Sequence, residues 1–284
     1  MRAQSLRRSS AGPDESLLAM TRVHYTMAAP DRQRMRIRIL HPWNVTPRQA
    51  AELQSELRRQ WEGRDRLPKI EYVAGADAAF LLSGPQSLTK RAGRSAARAA
   101  NRAIAGVIVY RFPEMVEIER VSAVVPLRFP YVPGLLSFRE CPALLAAFRK
   151  LQHAPDVIFC DGQGYAHPRR FGLASHLGLL LDRPTIGCAK SRLTGRETPP
   201  AQKAGSWTPL LAEADGEEEI LGAVLRTRDA VRPIYVSQGH RVSLATAIRL
   251  TLAVCDGFRI PRPTRDADHF VSACKRAWLA RKRA

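Results

Sequence analysis

Two aspartates lie at positions where a carboxylate is well suited to bind a cation. Asp77 lies in the middle of the small, apolar run 73–80. An unpaired charge would be costly there, so a bound cation explains it well. The alternative, an aspartate that ends a strand in a turn, conflicts with the apolar residues on both sides. Asp161 ends the apolar run 157–160 and precedes Gly162-Gln163-Gly164, a pattern that indicates a buried strand leading into a tight loop.

Two further acids are less distinctive by themselves. Glu140 follows apolar residues at helical spacing, where it can equally be a surface residue paired with Arg139 or a cap for a helix that starts at Pro142. Asp156 comes directly after a proline, so it either begins a strand or supports the other acids from a second layer. Hard divalent ions are held by a few carboxylates, neutralise phosphate charge and activate water. Such chemistry would suit these residues.

Lys190 and three histidines are candidates for catalytic or binding roles beside the acids. Lys190 follows Gly187-Cys188-Ala189, and its ammonium can hold a phosphate or orient a water, although a solvated lysine is the default interpretation. His167, His176 and His240 can each be a general base, a metal ligand or a phosphate contact, yet a lone histidine is more often structural. His240 is favoured because it follows a glycine directly after a predicted strand.

A proline-bounded tyrosine offers a rigid aromatic contact. In Pro130-Tyr131-Val132-Pro133, both ends are stiff and one ring is presented, as a wedge that separates bases requires. The same tyrosine can equally cap a hydrophobic edge. Gly134, Gly162 and Gly164 mark nearby turns at which backbone amides can approach a ligand closely.

The elements that must position these residues alternate between strands and helices. Thr46-Pro47-Arg48-Gln49 has the pattern of a capped helix start, which predicts a helix to about Trp61. The order predicts an α/β fold with a mixed β-sheet flanked by helices, beginning with an antiparallel meander. Strands are predicted at 70–82, 105–112, 115–125, 156–161, 185–189, 220–226 and 234–237. Helices are predicted from 133 with renewal at 142 to 152, at 170–181 and 243–255, and after 264.

The charge of the chain favours a polyanionic partner. Lys and Arg number 45 against 26 Asp and Glu, a net charge of +19. A codon bias that scatters arginine over the surface is the alternative. The segment Lys90–Arg102 carries five basic residues, suited to a phosphate backbone or to a solvated helix or loop; we assign it no role. Other candidate phosphate contacts are Arg169, Arg170 and, more weakly, the basic end Lys275, Arg276, Arg281, Lys282 and Arg283.

Composition predicts one domain in a reducing compartment. The five cysteines are widely spaced in apolar stretches, which suits reduced thiols and a cytoplasmic protein. No segment has the length of a membrane span. Residues 1–38 have little periodicity and are predicted to be a disordered basic extension, residues 39–270 a single domain, and residues 271–284 a basic helix end.

Three long segments in order resemble the endonuclease V family, namely residues 130–140, 156–178 and 184–191. The resemblance extends from about residue 72 to residue 267. Ser237-Gln238-Gly239-His240 resembles the family's Ser-x-Gly-His motif, although the family usually has proline at Gln238. The resemblance implies a ribonuclease-H-like fold in which Asp77, Glu140 and Asp161 form the metal site, with Mg²⁺ as the ion and Mn²⁺ able to substitute. It also places His240 near the metal.

The resemblance implies an activity as well. Members cut nucleic acid near inosine, with the Pro-Tyr-Val-Pro wedge beside a pocket for flipped hypoxanthine. His-Pro-Arg-Arg and Pro-Tyr-Val-Pro resemble the bacterial branch. We therefore expect a monomeric DNA repair enzyme that recognises deoxyinosine and hydrolyses the second phosphodiester bond on its 3′ side. The alternatives are an inosine-specific endoribonuclease, a nuclease for flap or branched DNA, and a nucleic-acid-binding protein without catalysis.

Overall fold

A mixed sheet with a parallel centre organises the protein. The computed structural model describes residues 35–81, 101–214 and 216–281. Nine strands occur within these ranges: β1 (Tyr72–Leu81), β2 (Arg102–Arg111), β3 (Val116–Pro126), β4 (Val157–Cys160), β5 (Thr185–Ala189), β6 (Arg196–Glu197), β7 (Trp207–Ala214), β8 (Glu217–Leu225) and β9 (Ile234–His240). Their order across the sheet is β3-β2-β1-β4-β5-β9-β8-β7-β6. Among these nine described strands, only the β1–β4 and β4–β5 pairs are parallel.

Helices cover both faces of the sheet. The helices in the described ranges are α1 (Pro47–Leu57) with a short 3₁₀ turn (Arg58–Gln60), α2 (Leu136–Phe148), α3 (Leu173–Leu181), α4 (Leu244–Ala253) and α5 (Arg262–Arg281), of which α2 to α5 pack on the sheet. The predicted capping box at the start of α1 is confirmed, since Gln49 N donates to Thr46 Oγ1 and Thr46 N donates to Gln49 Oε1. No helix in the described ranges is long and apolar enough to cross a membrane.

Successive residues of the central strands enter two different cores. Ala74 belongs to the core beneath α2 and α3, whereas its neighbour Val73 belongs to the core beneath α4 and α5. This is the period-two alternation of a sheet buried on both faces. The side chains of Leu144 on α2 and Phe270 on α5 lie in the first and second core respectively.

Two glycines let α5 lie directly on the sheet. A Cβ at Gly75 would stand 1.9 Å from the Pro263 carbonyl oxygen, and one at Gly106 would stand 2.8 Å from atoms of Phe270 and Val271. Contacts below 3.0 Å require something to shift. The missing side chains therefore set how closely the last helix approaches β1 and β2.

The predicted α/β class, mixed sheet and antiparallel meander are confirmed. The sequence missed β6 and β7, because Pro209 interrupts a run that otherwise pairs with β8. Pro142 lies inside one continuous helix rather than starting a new one. The boundary expected at residue 270 falls inside α5, and part of the predicted extension is packed, since Arg38 N donates to Leu180 O at 2.7 Å. Residues 1–34, most of the basic segment Lys90–Arg102, and Lys282 and Arg283 lie outside the described residues.

Candidate active site

Acids from four elements meet at the carboxyl ends of the parallel strands. Asp77 on β1 and Asp161 after β4 are neighbours, because the Asp161 N–H donates to the Ala76 carbonyl at 3.2 Å. Glu140 reaches them from α2 with only 6% of its surface exposed, and Asp268 reaches them from α5. The structure thus brings together the three acids named from the sequence and adds Asp268.

The carboxylates raise one another's pKa values. Burial, followed by the charges of Asp161 and Asp268, raises the pKa of Asp77 to about 7. Burial and then the charges of Asp77 and Asp161 raise the pKa of Glu140 well above its usual value. Burial also raises the pKa of Asp161. The cluster carries more negative charge than its surroundings balance, so a cation would stabilise it.

Lys190 supplies a positive charge to the cluster. Its Nζ donates to Asp161 Oδ2 at 2.5 Å and to Asp268 Oδ2 at 2.8 Å. Burial lowers the pKa of the ammonium, but the hydrogen bonds to Asp161 and Asp268 outweigh burial and raise it above its ordinary value. The backbone of Lys190 is also fixed, since its carbonyl accepts from Arg259 Nη2 at 2.8 Å. The strand end predicted from the sequence therefore delivers this lysine to the acids.

A divalent metal fits this donor set. Asp77, Glu140, Asp161 and Asp268 offer only carboxylate oxygens, the ligands of hard cations. Burial and then the charges of Asp161 and Asp268 raise the pKa of Asp77, and a bound cation would offset both by stabilising the ionised carboxylate. Within the described ranges, no group of three or more His, Cys, Asp or Glu side chains is already arranged as a metal cage. In this arrangement Lys190 occupies one oxygen of Asp161 and one oxygen of Asp268.

A cavity of about 390 Å³ opens beside the acids, within the usual size range of ligand pockets. Tyr131, Val132, Pro133 and Gly134 form one wall, and the lining also includes Gln54, Gly162, Gln163, His167, Leu173 and Leu193. Asp161 and Lys190 line it too. The cavity and the acidic cluster are thus one continuous site.

Two predicted ligand-binding residues lie outside the cavity lining, namely Pro130 and Gly164. The Gly164 N–H donates to Ser237 Oγ at 2.9 Å, and a Cβ at Gly164 would stand 2.1 Å from the Gln238 carbonyl oxygen. This glycine lets its loop pack against β9. The expectation that it approaches a ligand is corrected accordingly.

His167 holds the cavity wall with both ring nitrogens engaged. Its Nδ1 accepts from Arg169 N at 3.1 Å, so Nε2 carries the proton and donates to the Gly134 carbonyl at 2.9 Å. Burial, followed by the charge of Arg169, lowers the pKa of His167 to about 4. At neutral pH the ring is uncharged and lies at the cavity as a support for Gly134.

His240 lies far from the acids. It pairs with Thr185 at the start of β5, whereas Tyr235 pairs with Ala189 at the end that carries Lys190. At about 3.3 Å per residue, His240 is roughly 13 Å away along the strand. Its Nδ1 accepts from Glu62 N at 3.3 Å. The expectation that it stands near the metal is corrected, because the antiparallel direction of β9 carries its last residue to the opposite end of the sheet.

Three other candidates have structural partners. Asp156 Oδ2 accepts from Glu71 N at 2.8 Å and Tyr72 N at 2.9 Å at the amino end of β4, so it does not support the acids. His176 Nε2 is 2.8 Å from His41 Nε2 in a buried pair. Arg170 forms an ion pair with Glu219 at 2.7 Å instead of facing solvent as a phosphate contact.

The mixed sheet, the acids at the ends of its parallel strands and the adjoining cavity define a ribonuclease-H-like nuclease. The Endonuclease V family model matches residues 52–269. An endonuclease V from Trichormus variabilis is 48% identical over 233 residues, which cover 82% of this chain and 96% of that protein. The chain belongs to the endonuclease V family. It is therefore a hydrolase of phosphodiester bonds, from a family that uses a divalent metal.

Solved structures share this architecture. The endonuclease V of Streptomyces avermitilis is 38% identical with a TM-score of 0.71, covering 89% of this chain and 100% of that one. The endonuclease V of Ciona intestinalis, solved with a 24mer DNA containing an inosine followed by a ribo-adenosine, is 27% identical with a TM-score of 0.65. That match covers 80% of this chain and 98% of the Ciona chain.

Proposed function

We propose that the protein recognises deoxyinosine in DNA and hydrolyses the second phosphodiester bond 3′ to the lesion, as a DNA repair enzyme. The products carry a 3′-hydroxyl and a 5′-phosphate. The observation that carries this proposal is the cavity that shares Asp161 and Lys190 with the acidic cluster, so that a base can be held beside the groups that act on the backbone. The inosine-containing DNA in the Ciona complex supports it.

The cavity receives a hypoxanthine base that has left the helix. Extrusion of a base costs a few kcal/mol of unpairing and unstacking, and a rigid aromatic wedge in the vacated space offsets part of this cost. Tyr131 fits that role, since it is half-buried at the cavity wall between two prolines and the Arg139 guanidinium lies 5.8 Å from its ring centroid. Val132, Pro133, Gly134 and Gly162 shape the space for the base.

Asp77, Glu140 and Asp161 would hold Mg²⁺, with Mn²⁺ able to substitute. When bound, the ion supplies Lewis acidity at the scissile phosphate and lowers the pKa of a nearby water. Asp268 adds a fourth carboxylate beside them. Lys190, released from Asp161 and Asp268, directs its ammonium at the phosphate and stabilises the charge that develops there. His167 acts on the substrate only through the wall that it supports.

We further propose that the enzyme works as a monomer in the cytoplasm. One chain supplies both the cavity and all four acids, so no partner subunit is needed to complete the site. All five cysteines are unpaired, as is usual in a reducing compartment.

The test is cleavage of an end-labelled duplex that contains one deoxyinosine, in Mg²⁺ and in EDTA, beside the same duplex with deoxyadenosine. The expected result is a Mg²⁺-dependent nick one nucleotide beyond the inosine and no nick in the control. Equal cutting of both duplexes would indicate a nuclease for DNA structure rather than for inosine. Binding without a nick would indicate a nucleic-acid-binding protein.

Inosine-containing RNA is the second candidate substrate. The DNA in the Ciona complex has a ribo-adenosine after the inosine, which supports testing a ribonucleotide-containing substrate. Cleavage rates of matched DNA and RNA strands with one inosine, measured in the same buffer, decide between the two substrates for this chain.

A further inference from the structure

The wall of the cavity depends on one peptide group. Gly134 ends the proline-bounded loop in a left-handed conformation, with φ of +77°. Its carbonyl accepts two hydrogen bonds, from His167 Nε2 at 2.9 Å and from Arg169 Nη2 at 2.8 Å. Two donors on a single carbonyl fix the direction of this peptide. The loop that begins at Tyr131 is therefore held at its last residue.

Arg169 connects this peptide to helix α1. Its Nε donates to Gln54 Oε1 at 2.6 Å while its Nη2 reaches Gly134. The planar fork of a guanidinium presents both donors in a fixed geometry, which a lysine cannot copy. Arg169, a candidate phosphate contact from the sequence, therefore makes its hydrogen bonds within the site.

Gln54 completes the connection and uses both ends of its amide. It is only 1% exposed, and its Nε2 donates to the Phe171 carbonyl at 3.0 Å while its Oε1 accepts from Arg169. A side chain at this position must therefore be a donor at one atom and an acceptor at the other. Among side chains of this length, only an amide meets both demands.

We propose that Gln54 and Arg169 are positioning residues that fix the Gly134 peptide and with it the shape of the base-recognising wall. The inference rests on the proposed function and deepens it. Gln54 lines the cavity but lies on α1, outside the elements that carry the acids. Loss of its amide lets Arg169 and Gly134 move, so discrimination in favour of inosine falls while affinity for ordinary DNA stays the same.

The test compares Gln54→Met, which keeps the length of the side chain and removes both hydrogen bonds, with the wild-type protein. Dissociation constants are measured by fluorescence anisotropy for a duplex with one deoxyinosine and for the same duplex with deoxyadenosine, with Ca²⁺ in place of Mg²⁺. We expect the preference for inosine to fall about tenfold and the affinity for the control duplex to change less than twofold. Gln60→Met, the same substitution at an exposed position just after α1, should leave both constants unchanged.

A second pair of variants keeps the inference testable if Gln54→Met unfolds. Gln54→Glu retains the acceptor for Arg169 but sets a carboxylate oxygen against the Phe171 carbonyl, and it should keep more of the preference than Gln54→Met. Arg169→Lys keeps the charge and loses the fork, so its preference should fall as in Gln54→Met. An unchanged preference in the folded variants, or an equal loss of affinity for both duplexes, would overturn the inference. A wild-type protein without any preference for inosine would overturn the proposed function itself.

Discussion

The two ends of the parallel strands both carry polar side chains, but these side chains have different partners. At the carboxyl end, carboxylates from β1, the residue after β4, α2 and α5 lie close together, and burial followed by their mutual repulsion raises the pKa of Asp77 to about 7. At the amino end, Asp156 accepts two backbone N–H groups and His240 accepts one. Polar side chains that accept backbone N–H groups stabilise the fold, whereas a buried group of like charges is typical of a site that binds a ligand.

Substitution of one aspartate at each end of the parallel strands tests whether the carboxyl end is catalytic and the amino end structural. Asp161→Asn should lower the cutting rate on the order of a thousandfold, because it removes the charge of a proposed metal ligand, and it should leave the fold intact. Asp156→Ala should cost about 1 to 3 kcal/mol of unfolding free energy, because the buried Tyr72 N–H and the part-buried Glu71 N–H lose their acceptor, with kcat unchanged. Urea unfolding and single-turnover cutting measure the two effects. Equal losses of activity in both variants would contradict the distinction.

The position of Asp268 can be tested through the contact that places its helix. Gly75→Ala would force the Pro263 carbonyl away from β1 and move α5 with Asp268. A shift of about 1 Å at a catalytic group can cost about a hundredfold in rate, and overpacking costs about 1 to 3 kcal/mol of stability. Gly205→Ala is the control, since it has no atom within 4 Å, although its φ of +85° makes alanine strained there. Gly205→Ala should therefore lose stability alone, and loss of stability alone in Gly75→Ala would contradict the prediction.

The amino end should also control stability at low pH. Burial, followed by the charge of Arg241, lowers the pKa of His240 to about 4 from an ordinary 6.5. Between pH 6.5 and 4 the unfolded chain binds a proton that the folded chain does not, so stability is lost as the pH falls through this window. His240→Gln should reduce that loss by on the order of 2 kcal/mol. Unfolding free energies at pH 7 and pH 4.5 measure it.

His240→Gln also tests the assignment of its end of the sheet. Its cutting rate at pH 7.5 should stay within about twofold of the wild-type rate, because an amide can still accept from Glu62 N. If His240→Gln keeps full stability and loses all cutting activity, His240 has a catalytic role after all.

A smaller change in free energy is expected if Lys190 competes with the metal for the acidic cluster. Lys190→Met removes the ammonium that bridges Asp161 and Asp268. Affinity for Mn²⁺ in the absence of DNA should rise about tenfold, a difference of about 1.4 kcal/mol, even though cutting is impaired. Isothermal titration calorimetry gives the constant. Lys150→Met, whose Nζ contacts only Ser122 O in the described structure, is the control. Equal or weaker Mn²⁺ binding by Lys190→Met would show that the ammonium and the ion do not compete.

The carboxyl end was the more readable of the two from sequence. Asp77 and Asp161 interrupt or end apolar runs, and Lys190 follows one, so each signals a strand that delivers a polar group. Glu140 looked like a surface residue until its whole segment was matched to a family. His240 was misplaced because a sequence does not show in which direction a late strand runs, and β9 proved antiparallel to β5.

Asp268 gave no usable signal. It lies in a helix rich in charged residues, where an acid is typical of a solvated face. Its place in the acidic cluster depends on the close approach of α5 to Gly75 and Gly106, which only the folded structure reveals. Arg169 was misread for the same reason: its inward direction depends on Gln54, more than a hundred residues earlier in the chain.

Asp161 belongs to the acidic cluster and Gly162, the next residue, lines the cavity. A single peptide unit, about 3.8 Å from one Cα to the next, therefore joins a member of the acidic cluster to the next residue of the cavity lining. If the cavity holds the base as proposed, covalent geometry helps to fix the distance from that base to the bond that is cut.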